Sequence, residues 1–138
     1  MSLALADIAP CFEGEVPSVM ATSSPGGEPN LAHLSQVFLV DADHVATSNQ
    51  FFTKTAANLA ANPLASLIVV HPRTLLSYKL LLRHEGSEDS GERFERARRS
   101  IDAVASMTGM EGVFALRAVD LFRVLDVALI PSRGTATG

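Results

Sequence analysis

Residues 30–40 constrain the fold most, because they have the pattern of one long β-strand that is apolar on both faces. Successive side chains of a strand point to opposite sides, and here the odd and the even positions are both largely apolar. A strand in a sheet with one solvated face would alternate with polar residues instead. We therefore expect one face to fill a barrel and the other to meet a partner subunit or a ligand.

Shorter β-prone runs surround this strand and are separated by turn-forming residues. The run at residues 17–23 precedes a Pro/Gly-rich segment at 24–29, which predicts a hairpin with residues 30–40. Further strands are predicted at residues 44–48, 65–70 and 77–84, with one or two closing strands within 113–127. Because most of these strands follow one another through short turns, the sheet should be mainly antiparallel.

Helices are predicted between the strands. They cover residues 3–8 (ended by Pro10), about 53–62, and 91–108. The last shows apolar side chains at helical spacing and follows a polar connector at residues 85–90; Gly109 suits its C-terminal cap. Together these elements predict a small α+β barrel with helices packed around it.

The length and the net charge indicate how many domains the chain has and which kinds of partner it is not expected to bind. The 138 residues suit one domain, for which we expect residues 1–130, followed by a flexible tail or linker at 131–138. A net charge of −4 gives no electrostatic reason to bind nucleic acid or an anionic membrane, and the apolar runs are too short to span a bilayer. One cysteine and no signal-peptide pattern make the cytoplasm the expected location.

The stretch that carries chemistry is residues 45–63, where a strand leads through a polar cluster into a helix that begins Thr53-Lys54-Thr55. The free N–H groups and the dipole of a helix N-terminus favour an anion, and Lys54 adds a formal charge. A terminal phosphate would suit this position. The alternative is that Thr53 simply caps the helix and Lys54 is a solvated surface residue.

Residues 49–59, ending in Asn62-Pro63, resemble the flavin-phosphate segment of the pyridoxamine 5′-phosphate oxidase-like family. The setting is also similar, since Gly27-Glu28-Pro29-Asn30 and the strand at 34–40 precede the segment. The similarity spans about residues 16–70 and continues more weakly through 121–125. It implies a split β-barrel that forms a homodimer, with flavin mononucleotide (FMN) in grooves at the subunit interface.

The resemblance also implies a set of cofactor-binding residues. They are Ser35, Gln36, Val37 and Phe38 beside the ring and ribityl chain, Ser48, Asn49 and Gln50 beneath the flavin, Thr53, Lys54 and Thr55 at the phosphate, and Arg123 near the ligand. Arg123 is equally well explained as a surface residue of an edge strand. No catalytic residue and no metal site is predicted.

Two departures from the family pattern reduce the positive charge at the expected phosphate site. Ser35 stands where the oxidase has an arginine, and Lys54-Thr55 stands where it has an arginine-lysine pair. The oxidase's basic pocket for the phosphate of its substrate is not recognisable either. Oxidation of pyridoxamine phosphate is therefore not expected.

The predicted function is an FMN-dependent oxidoreductase acting on an unidentified small molecule. One alternative is a non-catalytic flavin-binding sensory module, because the tail resembles an interdomain linker and similar proteins occur fused to signalling domains. Another is the same fold with deazaflavin F420 or haem. His33 shares a strand face with Ser35, so it is a candidate ligand for a cofactor or haem iron, or a hydrogen-bonded core or interface residue.

Overall fold

A computed structural model describes residues 3–14, 16–34, 36–49, 53–108 and 118–131. A 3-10 helix, Leu5–Phe12, comes first. The strands are β1 (Ser18–Ser23), β2 (Pro29–Leu34), β3 (Val37–Asp41), β4 (His44–Asn49), β5 (Leu64–Val70), β6 (Ser77–Glu88) and β7 (Ala118–Leu129). Helix α1 (Thr53–Ala61) lies between β4 and β5, and helix α2 (Glu92–Thr108) lies between β6 and β7.

The seven strands form one sheet in the order β2-β1-β5-β6-β7-β4-β3, and every pairing is antiparallel. The two outermost strands, β2 and β3, are consecutive in the chain and are joined by residues 35 and 36 alone. Three residue steps span at most about 11 Å, so the sheet must curl until its two edges approach each other there. This closure makes the sheet a split barrel, and the predicted α+β, mainly antiparallel fold class is confirmed.

The expectation of one continuous strand at residues 30–40 is wrong, because two strands occupy this stretch. Pro29–Leu34 pairs with β1, whereas Val37–Asp41 pairs with β4. Leu34 and Val37 are three residues apart, yet both are buried in the same core, so the in-out alternation slips by one residue between them. The sequence hides this slip because both faces of the run are apolar.

The barrel interior is the main core. It contains the fully buried Val45, Leu67, Leu80, Leu82 and Phe122, and the 3-10 helix adds further apolar side chains to one side of it. A second cluster lies on the outer surface of β3, β4 and β7, where Phe94 and Ala97 of α2 are buried. This confirms the apolar face of α2 at those two positions.

Two other segment boundaries differ from those predicted. Pro10 lies inside the first helix, which continues to Phe12 beyond a break at Ile8 (φ −121°, ψ 24°). Strand β6 extends through most of the expected connector at 85–90, because Gly86 to Glu88 pair with β7 across a bulge. Among the described residues one strand closes the sheet, which agrees with the predicted one or two; Gly109 and residues 113–117 lie outside the described part of the chain.

In the parts of the chain that the structure describes, neither helix combines the length and apolarity needed to cross a membrane. The one cysteine, Cys11, is buried in the main core, and this burial raises the pKa of its thiol. A raised pKa keeps the less reactive thiol form, which suits a packing role.

Candidate functional site

The corner where β4 leads into α1 contains the residues predicted to hold a phosphate. Strand β4 ends at Asn49, and α1 begins four residues later at Thr53. Lys54 follows in the first turn with 60% of its side chain exposed. The first-turn N–H groups have no partner within the helix, so this end of α1 favours negative charge. Ser35 and Gln50 lie outside the described residues, as do the side chains of Asn49 and Thr53.

Lys54 already has an anionic partner within the chain. Its Nζ donates to Oε1 of Glu28 over 3.0 Å, and both side chains are exposed. Glu28 lies at the end of the β1–β2 turn, where its backbone N–H donates to Ser24 Oγ and its carbonyl accepts from the Ser24 N–H. A carboxylate on an ordered turn is thus held at the position where an external anion would bind.

Helix α1 is anchored to the sheet through polar groups. Thr55 and Asn58 lie one turn apart on its buried side. Asn30 of β2 donates to Thr55 Oγ1 over 3.2 Å, and Asn58 donates to Thr22 Oγ1 of β1 over 3.1 Å. Buried polar groups need such partners, so these bonds fix the orientation of α1. The sequence analysis missed this anchor; polar residues at i and i+3 in an alanine-rich helix were its only signal.

Strand β3 supplies the predicted residues beside the flavin ring. Val37 points into the barrel core, and Phe38 packs on the other side against α2, so neither side chain is free to meet a ligand. Among the described residues, β3 pairs only with β4, which leaves the backbone of its second edge available. Gln36 lies against Gly14, which has a φ of +81°; a Cβ there would come within 3.3 Å of the Gln36 side chain.

The structure separates Arg123 from this corner. Ser48, predicted to lie beneath the flavin, is buried near the α1 end of β4. Arg123 pairs with His44 at the opposite end of that strand. The two ends of β4 are five residue steps apart, which corresponds to about 16 Å. Arg123 therefore lies at the end of β4 opposite to α1, and its contact with the ligand stays a prediction.

Two histidines, His44 and His84, have carboxylate partners. His44 Nδ1 lies 2.8 Å from Asp41 Oδ1, and its Nε2 lies 2.9 Å from Glu85 Oε1. A neutral imidazole carries one N–H, so donating to both carboxylates requires the protonated ring. The pKa of Asp41 is lowered, first by the hydrogen bond from the Asp43 backbone N–H and then by His44.

The other pair is inside one end of the barrel. His84 Nε2 lies 3.0 Å from Asp120 Oδ1, which also accepts from Ser87 Oγ over 2.6 Å. His33 of β2 is exposed. Within the described ranges, no group of three or more His, Cys, Asp or Glu side chains is arranged to hold a metal ion.

The solved structures that are similar to the chain include the following three. An FMN-binding protein from Syntrophomonas wolfei has a TM-score of 0.76 at 16% identity, covering 93% of this chain and 87% of its own. An F420 reductase has a TM-score of 0.62 at 13% identity, covering 86% and 93%. HutZ, the haem storage protein of Vibrio cholerae, has a TM-score of 0.58 at 16% identity, covering 92% and 95%. At such identities these similarities establish the fold alone.

No curated protein sequence matches the chain. The family model described as pyridoxamine 5′-phosphate oxidase matches residues 5–125, which is nearly the whole of the barrel. The chain therefore belongs to the pyridoxamine 5′-phosphate oxidase family.

Proposed function

We propose that the chain binds FMN at the β4–α1 corner and is an oxidoreductase acting on a small molecule. In this proposal Thr53, Lys54 and Thr55 hold the phosphate. The ring and ribityl chain lie along Ser35, Gln36, Val37 and Phe38, contacting Val37 and Phe38 through the backbone, above Ser48, Asn49 and Gln50. When bound, FMN supplies the electron or hydride transfer, and the chain holds and orients it.

The observation that carries the proposal is the position of Lys54. It is an exposed cation in the first turn of a nine-residue helix that follows β4, and among the described residues the neighbouring strand β3 pairs with β4 alone. A phosphate there can accept hydrogen bonds from the helix N–H groups and from the lysine. The similar FMN-binding structure supports FMN as the occupant.

The fit of the described residues to FMN phosphate rests on one cation. Thr55, which stands where the family has a second basic residue, is buried and accepts a hydrogen bond from Asn30. The Glu28 carboxylate must leave Lys54 before a phosphate can bind it. We therefore expect weaker FMN binding than at a site with two or three unpaired cations.

We also propose that a second copy of the chain covers the outer face of β1, β2 and β5. Leu31 is 71% exposed there, and the register places it in one row with Ala21 and Ser66. Ile68 is a further exposed apolar residue in the next row. Exposed apolar surface of this kind favours association. A molar mass twice that of the chain, measured by light scattering, would support the dimer; a monomer at all concentrations would contradict it.

The alternative proposals keep the same fold but assign it a different cofactor or a non-catalytic role. The F420 reductase and the haem storage protein favour testing those two cofactors, and the sensory-module alternative predicts bound flavin without turnover of any electron donor. An absorption spectrum of the purified protein separates the cofactors: flavin bands in the blue, deazaflavin at shorter wavelength, or the intense band of haem.

The direct test is an FMN titration of the Lys54→Glu variant. Loss of a charge-assisted hydrogen bond and the added repulsion should weaken binding by about tenfold or more. Arg96→Glu is the matched control, since it reverses the charge of another exposed helical residue with one ion pair. Both variants should unfold within a few degrees of the wild type. Equal FMN affinity in Lys54→Glu and wild type would contradict the phosphate site.

A further inference from the structure

In the part of the chain that the structure describes, the last five residues of β7 have a neighbouring strand on one side alone. Strand β4 pairs with β7 as far as Arg123, and just beyond it the Val124 N–H donates to the Asp43 carbonyl over 2.7 Å. From there to Leu129, β7 pairs only with β6. The free N–H and C=O groups of such an edge form a template on which another extended chain can add a strand.

A groove lies at this edge of β7. Its volume is about 310 Å³, within the range of roughly 300–1,000 Å³ that is typical of ligand sites. Its walls come from three segments, namely residues 3–5 at the start of the 3-10 helix, residues 42–43 between β3 and β4, and residues 124–127 of β7. Leu5 and Val127 belong to the main core, so an apolar side chain placed in the groove would extend that core.

The groove has several carboxylates around it. Asp43 and Asp126 are lining residues, both are exposed, and neither makes an ion pair within the described ranges. Asp7 adds a third carboxylate, because its Oδ2 accepts a hydrogen bond over 2.9 Å from the N–H of Ala4, another lining residue. Acidic groups gathered at one groove favour a ligand that carries positive charge.

The basic residues closest to this groove in sequence and strand register are His44, Lys79, Arg83 and Arg123. None of them lines the groove, and among the described residues none forms an ion pair with Asp43 or Asp126. His44 is instead held between Asp41 and Glu85. The two carboxylates that line the groove can therefore meet a cation from another molecule.

We propose that this groove binds an extended segment of a partner protein in which lysine or arginine alternates with apolar residues, and that the segment adds a strand to the free edge of β7. Backbone hydrogen bonds to residues 125–129 would hold the segment, as in other cases of strand addition. Successive side chains of a strand point to opposite sides. The apolar ones would therefore contact Leu5 and Val127, and the cationic ones would reach Asp126 on the outer side.

The position of Asp43 supports the same arrangement. Asp43 directly precedes β4, so it lies where the paired part of the β7 edge ends and the free part begins. An added strand would continue along the line of β4, with Asp43 beside one of its ends. This groove is at the end of β4 opposite to α1, and the proposal does not depend on flavin binding at the β4–α1 corner.

A blocked five-residue peptide, acetyl-Val-Lys-Val-Lys-Val-amide, is a suitable probe because five residues of strand, about 17 Å, match the free edge. It would be titrated into the full chain, and binding would be followed by NMR of the backbone amides. We expect shifts at residues 3–5, 42–43 and 124–129. The double variant Asp43→Asn/Asp126→Asn should bind the peptide about fivefold more weakly, as expected for two exposed ion pairs.

The matched control is the double variant Asp89→Asn/Asp102→Asn, which removes two exposed carboxylates that do not line the groove. It should bind the peptide as tightly as the wild type, and both double variants should unfold within a few degrees of it. Equal affinity in Asp43→Asn/Asp126→Asn and wild type, or shifts confined to other parts of the chain, would overturn the proposal.

Two altered peptides separate charge from strand addition. The peptide with glutamate in place of lysine should bind more weakly, because it brings negative charge to the carboxylates. The lysine peptide with methyl groups on alternate backbone nitrogens keeps its charge but cannot form a full ladder, so it should also bind more weakly. Equal binding of either altered peptide and the original would overturn the proposal.

Two other occupants of the edge have their own signatures. A dimer that is present in the wild type and lost in Asp43→Asn/Asp126→Asn would mean that a second copy occupies the edge. Peptide binding that appears only after removal of residues 132–138 would mean that the chain's own end occupies it. Either result would overturn binding of a partner segment. Peptide affinity should be unchanged in Lys54→Glu, so failure of the flavin proposal would leave this one standing.

Discussion

The β4–α1 corner and the row formed by Arg83 of β6 and Arg123 of β7 both expose cations, but among the described residues only the corner pairs its cation with a carboxylate. Lys54 is paired with Glu28, and the helix that carries it is tied to β1 and β2 through Asn58 and Thr55. Arg83 and Arg123 lie opposite each other and form no ion pair among the described residues, although Asp126 lies in the neighbouring row, opposite Leu81. The corner is therefore held by its own contacts, whereas the row leaves two like charges side by side. The corner is predictable from a local sequence segment, whereas the row depends on the register between β6 and β7.

The largest expected effect concerns the anchor of α1. Asn58→Ala removes a buried hydrogen bond and leaves Thr22 Oγ1 without its donor, so it should destabilise the fold by about 1–3 kcal/mol. Urea unfolding measures the loss. Replacing both partners, with Thr22→Val and Asn58→Leu, should cost less than the sum of the single changes. Strict additivity would show that the two side chains do not interact.

The ion pair between Glu28 and Lys54 should lower the affinity of the corner for FMN. Because Glu28 competes with a phosphate for Lys54, Glu28→Gln should tighten FMN binding by up to about fivefold, the range expected for an exposed ion pair. Glu13→Gln is the control, since Glu13 forms an exposed pair with Arg73 elsewhere on the surface. Weaker FMN binding in Glu28→Gln would mean that Glu28 positions Lys54 for the ligand.

The same change of charge should affect stability differently in the two regions. Without any anion, Arg123→Gln should raise stability by a few tenths of a kcal/mol, at most about 1, because it removes repulsion from Arg83. Lys54→Gln should lower stability slightly, because it breaks the Glu28 pair. Thermal unfolding at low ionic strength measures both, and added salt should reduce both differences. A loss of stability in Arg123→Gln would contradict unrelieved repulsion in the row.

The smallest effect is the pH dependence at Asp41, beside the row. Its pKa in the folded state lies below the ordinary value of 3.8, so its carboxylate stabilises the fold above that pH. The contribution is lost as the pH falls through the lower folded value. Asp41→Asn should therefore melt below the wild type at about pH 7, and the difference in melting temperature should narrow as the pH falls below 3.8 and through the lower folded pKa. A difference in melting temperature that does not change with pH would show that it does not arise from ionisation of the Asp41 carboxyl group.

Much of the fold follows from periodicity and turn residues alone. The strands at 44–48, 65–70 and 77–84 and the helix at 91–108 lie within one to four residues of the observed bounds. The break between Leu34 and Val37 could not be predicted, because an apolar run on both faces looks the same with or without a one-residue slip. The pairing of each half with a different strand is a tertiary property.

The sequence predicted the helix start at the β4–α1 corner, but it did not predict the contacts between distant parts of the chain. Thr53-Lys54-Thr55 was visible because a helix start is a local signal. The partners of Lys54 and Thr55, namely Glu28 and Asn30, lie about 25 residues away and needed the fold. The adjacency of Arg83 and Arg123, forty residues apart in the chain, depends on the β6–β7 register, which no local pattern encodes.

The central claim is that the β4–α1 corner holds a flavin through its phosphate, and comparing FMN with riboflavin tests it most directly. Riboflavin lacks the phosphate and keeps the ring and ribityl chain. Wild-type protein should bind FMN at least about tenfold more tightly than riboflavin, as expected for a charge-assisted contact, and Lys54→Glu should abolish most of that difference. Equal affinity of the wild type for FMN and riboflavin would contradict the account.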